Sequence, residues 1–275
     1  MALVTVGNVR EALELLPLRI SNESLGTGDG STKDFLAKQR PIVDWDYDGD
    51  IKDDVVVKVA GQPATVSSVT PDKGIITLSS APTNGQAVTG TYYWSPLSDN
   101  EINKAIASAV ADAEAETAMR IEEVADDVWE EILYEGNVLD LPEYPVTSIK
   151  KVEVDGVEVT SGNYTFNADG ILTLTNYMAG EPTEPYFKPS KYSVKVTYTH
   201  GWTVVTIPGD VYEFILRSAV LSCLRVLDRK LAISPEYMEK WVVEFKEKNL
   251  GPRIGDLVAE VESLRLKLPK AVGSI

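Results

Sequence analysis

Tyr144-Pro145-Val146, then Tyr198-Thr199-His200-Gly201-Trp202, then Ile207-Pro208-Gly209-Asp210-Val211: these three stretches, in this order, decide how the chain reads. The first belongs to residues 141–149, which open a set of short strands. The second closes the β-branched run Ser193-Val194-Lys195-Val196-Thr197-Tyr198. The third starts an apolar helix in which Val211, Phe214, Ile215, Val220, Leu221, Leu224 and Leu227 are too continuous for a surface element, so that helix is expected to be central. Upstream, Ser98-Asp99-Asn100-Glu101 is a capping box, hydroxyl and carboxylate satisfying reciprocal backbone donors. Ile102, Ala105, Ile106, Ala109, Val110 and Ala113 follow at helical spacing, and Val124, Val128 and Ile132 continue it. The pattern predicts one acidic helix from about Asp99 to Tyr134, roughly 50 Å long if unbroken. It admits a break near Thr117 and is stopped by Gly136.

Working outward, residues 5–16 read as a short helix with Thr5 as N-cap and Pro17 as stop. A Gly-rich turn at 26–32 then changes the texture. Runs at 55–59, 64–69, 74–78 and 87–94, separated by Gly, Pro and Asn turns, predict a small antiparallel sandwich or barrel over 26–96. A second β region spans 141–207, with a hairpin around Asp155-Gly156, strands at 163–166, 170–174 and 192–198, and a loop at 180–185. Ser234-Pro235 opens a helix to about Lys248, and Gly251-Pro252 breaks it. A terminal amphipathic helix carries Ile254, Leu257, Val258, Val261, Leu264 and Leu268. The expected class is α+β. A helical core (1–25 and 97–275) with a strand excursion at 141–207 accepts an inserted β domain at 26–96.

The 275 residues hold 42 acids and 26 bases, a net charge of −16. Thirteen acids and two bases fall within 99–140, so one segment holds most of the excess. Sequence-specific DNA binding wants the opposite sign, because phosphate neutralisation supplies much of the affinity. No apolar run approaches the ~20 residues of a membrane span, and no secretory leader is read at the start, so the expected compartment is cytosolic. The single cysteine, Cys223, rules out an internal disulfide and reads as a buried small hydrophobe.

The order of the capping-box helix, Tyr144-Pro145-Val146, Tyr198-Thr199-His200-Gly201-Trp202 and Pro208-Gly209-Asp210 resembles the head–tail connector (adaptor, head-completion) proteins of long-tailed bacterial and archaeal viruses. The resemblance covers 98–233 best and takes in 5–17 weakly. It implies a structural virion protein of the phage neck: a ring, usually of twelve subunits, made in the host cytoplasm and placed below the portal. The implied partners are the portal protein, a tail-side connector or tail terminator, further copies of the chain, and passing genomic DNA that is not read for sequence. No membrane and no enzymatic activity are implied. The 26–96 region is a departure from the family pattern.

Two acidic features and one apolar face are open to functional readings. Glu122, Glu123, Asp126, Asp127, Glu130 and Glu131 read either as a solvated helix face or as a channel lining that keeps DNA from sticking. The terminal helix either packs on its own core or docks into a portal groove through Ile254, Leu257, Val258, Val261, Leu264 and Leu268. Asp44, Asp46, Asp48 and Asp50, with Gly49, match the first half of a calcium loop, whereas Val55 stands where the bidentate glutamate belongs. Calcium therefore competes with an acidic surface turn, and a calcium-dependent β-sandwich binding module or adhesin is the rival function. His200 is the only histidine and reads as a loop residue set by the Gly201-Trp202 turn. Gly26 to Gly30 lacks the Gly-Lys-Ser/Thr of a phosphate loop. The five tryptophans read mostly as core anchors, and no catalytic constellation emerges.

Overall fold

The computed structural model describes residues 2–134, 136–175, 192–233 and 250–269. The fold is α+β, with helices α1 (Val6–Leu13), α2 (Asp99–Thr117), α3 (Gly209–Ile233) and α4 (Leu250–Arg265) and four antiparallel sheets among the described residues. The chain divides into two units. One comprises Val4–Ala109 with Phe214–Ser263, the other Met1–Leu3, Val110–Glu213 and Leu264–Ile275.

In the first unit, one sheet runs β1 (Leu18–Thr27), β7 (Ala87–Trp94), β3 (Val56–Val59), β4 (Gln62–Ala64). The other runs β2 (Asp34–Leu36), β6 (Ile75–Leu78), β5 (Val66–Thr70). Strict alternation along β7 sends Val88, Tyr92 and Trp94 inward, where they meet Phe35, Val57, Ile76 and Leu78 from the remaining strands in one shared core. The strands expected at 55–59, 74–78 and 87–94 are present, whereas the run at 64–69 divides at Thr65 between β4 of one sheet and β5 of the other. The β structure begins earlier than the reading of the sequence placed it, because Leu18–Thr27 pairs along β7. That strand hides from pattern reading: its register shifts between Ile20 and Glu23 and between Ser24 and Gly26, which destroys the two-residue period.

The same unit is locked at the entrance to α2. Arg10 of α1 is fully buried and donates to Ser95 Oγ (2.6 Å), the Leu97 carbonyl (3.0 Å) and Asp99 Oδ1 (2.7 Å). The second Asp99 oxygen accepts the Asp44 amide at 3.0 Å. The capping box forms as read, with Glu101 Oε2 accepting the Ser98 amide (2.9 Å) and Ser98 Oγ accepting the Glu101 amide (3.2 Å). Lys230 of α3 then donates to Glu101 Oε2 (2.7 Å) and to the Pro96 carbonyl (2.9 Å). Thr5 likewise caps α1, in a box closed by Asn8.

In the second unit, one sheet runs β11 (Val157–Glu158), β10 (Val146–Val154), β14 (Tyr192–His200), β8 (Val124–Tyr134). The other runs β12 (Tyr164–Phe166), β13 (Ile171–Leu174), β9 (Val138–Asp140). Leu139, Leu172 and Leu174 from the smaller sheet join Val146, Val152, Val154, Val194, Val196 and Tyr198 from the larger in one core. The hairpin between β10 and β11 turns at Asp155-Gly156, both at positive φ, as expected of a type I′ turn.

The long acidic helix is a correction. α2 ends at Thr117, whose hydroxyl bonds the Ala113 carbonyl (2.8 Å), and Ala118 takes the left-handed conformation that normally falls to glycine. Residues 124–134 are strand β8, paired antiparallel to β14. The spacing Val124, Val128, Ile132 fits a helix, but β8 is bulged at Asp126, so that Val124 pairs with the inward His200 and Val128 with the outward Thr197. Val128 is 51% exposed, and Trp129 packs on the core. Pro252 also sits in the first turn of α4, where its missing N–H costs no hydrogen bond. The expected helix from Ser234 to about Lys248, Trp241 and the loop at 180–185 lie outside the described residues.

Two stability measurements follow. Arg10→Met leaves Asp99 without its charged partner and should lower the unfolding free energy by about 3 kcal/mol in urea titrations, against less than about 1 for a surface arginine. Trp129→Ala should cost about 2 kcal/mol, whereas Val128→Lys should change stability by no more than about 0.5. The reverse ranking would restore the helical reading of this segment.

Candidate functional site

Two of the three stretches that organise the sequence meet at one joint in the second unit, and the third follows that joint along the chain. Val146 pairs with His200, and the Gly201 amide donates to the Pro145 carbonyl at 2.9 Å. The Trp202 amide donates to the Ile121 carbonyl (2.9 Å), and the Glu123 amide returns a bond to the Trp202 carbonyl (3.2 Å). Gly201 has φ +85°, and a Cβ there would lie 2.3 Å from the Glu122 carbonyl oxygen. Only glycine fits, so the Gly-Trp dipeptide is a structural requirement of this crossing. Beyond it, Thr203 and Thr206 bond reciprocally, and the Pro208 carbonyl accepts the Val211 and Tyr212 amides to start α3.

His200 is 2% exposed because it continues the inward alternation Tyr192, Val194, Val196, Tyr198. It is therefore the last inward residue of β14, where the sequence suggested a loop position. Its Nε2 lies 3.1 Å from Asp127 Oδ2 on β8, and its ring is tilted against Tyr198. Burial and the nearby Asp127 push the Tyr198 hydroxyl up to about 12. Cys223 is buried as expected, and that burial raises its thiol to about 12, so it stays protonated at neutral pH.

The six acidic candidates do not share a helix face. Glu122 and Glu123 precede β8 and line a cleft of about 360 Å³ with Ala2, Trp202, Thr203 and Val204. Asp126 pairs with Lys150 at 2.6 Å, Asp127 turns to His200, and Glu130 and Glu131 are exposed on the strand. On the terminal helix Leu257 and Val261 are buried and Ile254, Val258 and Leu264 are partly buried; Leu268, also buried, lies beyond the helix end at Arg265. Arg253 donates to the Ala12 carbonyl (3.2 Å) and Arg217 pairs with Glu260 (3.3 Å), so in the first unit α4 is tied to α1 and α3. Of the six residues read as a portal-docking face, three are thus buried within the chain and three keep partial exposure.

In the aspartate-rich loop, carboxylate oxygens of Asp44, Asp46 and Asp48 lie within 4.8 Å of one another, and Asp50 is not in that group. Both Asp44 oxygens are held by backbone, accepting the Tyr47 (2.8 Å) and Gly49 (2.8 Å) amides. Asp46 and Asp48 each accept the amide two residues on. Val55, at the twelfth position, is buried. The loop thus has the turn-forming half of a calcium loop without its closing ligand. Asp54 closes the loop instead by accepting the Trp45 amide at 2.5 Å. Burial, reinforced by the Asp44, Asp46 and Asp53 charges, raises Asp54 to about 6.

No protein-family model and no curated protein matches this chain. Solved structures that align with it include a chain of "Neck of empty GTA particle computed with C6 symmetry", at TM-score 0.31 and 16% identity over 44% of this chain. A chain of "Virion of native gene transfer agent (GTA) particle" aligns at TM-score 0.30 and 16% identity, again over 44%. A chain of "Neck of native GTA particle computed with C12 symmetry" aligns at TM-score 0.29 and 15% identity over 43%. The alignment spans 64% of the first two of those chains and 66% of the third. These scores lie below those that establish a shared fold.

The Asp54 environment makes a pH prediction. The folded state holds this proton more tightly than the unfolded chain, so Asp54 reduces stability as pH rises from about 4 through about 6. Asp54→Asn keeps the carbonyl acceptor and removes the charge. It should raise Tm at pH 8 relative to the parent and leave Tm unchanged at pH 3.5, read by thermal melts across that range.

Proposed function

We propose that this chain is a structural subunit of the neck of a tailed virus or virus-like particle: a head–tail connector that forms a ring below the portal. The observation that carries the reading is the joint at Gly201. Tyr144-Pro145-Val146 and His200-Gly201-Trp202, far apart in sequence, are hydrogen-bonded neighbours, and Pro208-Gly209-Asp210 follows directly as the start of α3. The motifs that carry the family resemblance are therefore parts of one construction. Chance matches scattered along a chain would have no reason to meet.

On this reading the protein makes and breaks no covalent bond. It works by self-association, in twelve copies by family likeness, and by docking between the portal and a tail-side connector or terminator. A subunit of net charge −16 suits that task, since a ring of such chains repels duplex phosphates and lets the genome slide through. The repulsion acts within about 8 Å at physiological ionic strength, so it discourages adhesion without blocking passage.

Deletion of the gene followed by electron microscopy of the particles tests the proposal. The expected result is filled or leaking heads without tails, and restored necks when the chain is supplied in trans. Tails that attach normally in its absence, or a neck reconstruction without density for it, would overturn the assignment.

A further inference from the structure

We draw no further inference here: the strongest candidate, the aspartate-rich loop at 44–54 in the first unit, is a cluster of acidic side chains whose oxygens already accept backbone amides, with nothing among the described residues that points to an ion or other ligand within it.

Discussion

A guanidinium with no access to water governs the first unit. Removing a cation from water costs several kcal/mol unless hydrogen bonds and an opposite charge replace the solvent. Arg10 obtains both from one short segment, Ser95 to Asp99, and this obliges the end of β7 and the start of α2 to sit against α1. Asp99 spends its other oxygen on the Asp44 amide, which carries the constraint into the aspartate-rich loop. Lys230 closes the arrangement from α3 by reaching the capping-box glutamate and the Pro96 carbonyl. Four separate parts of the chain are thus registered by the same few polar atoms. Apolar burial alone would hold them together without fixing their register.

The second unit is organised by backbone in place of buried charge. Where β14 ends, Gly201 passes so close to Glu122 that no side chain is tolerated, and the flanking amides bond to Ile121, Glu123 and Pro145. Strands β8 and β10 are referred to this one crossing.

Local signals were legible where physics and pattern coincide. The Ser98-Glu101 capping box, the Thr5 N-cap, the Asp155-Gly156 hairpin and the strands at 87–94 and 192–198 depend on neighbours within four residues, and each is found where it was read. The errors share a cause as well. Val124, Val128 and Ile132 are spaced as in a helix although they stand on a bulged strand, and Ala118 stops α2 without the glycine that would have marked the stop. β1 carries a broken period because it is bulged against β7. The amphipathic face of the last helix was visible, but which of its residues are buried was not.

Composition and order alone determined that this is an acidic α+β chain, with two β regions set among helices and a single cysteine. They also determined which short motifs matter, since Pro, Gly and capping residues act through local geometry. Tertiary structure alone decided that the acidic run after Thr117 pairs with β14, that Leu257 and Val261 of the last helix are buried, and that Arg10 lies at the centre of a network. The reason is that pairing, coverage and charge compensation are relations between residues dozens of positions apart. A one-dimensional pattern records which partners a residue would accept, and only folding chooses among them.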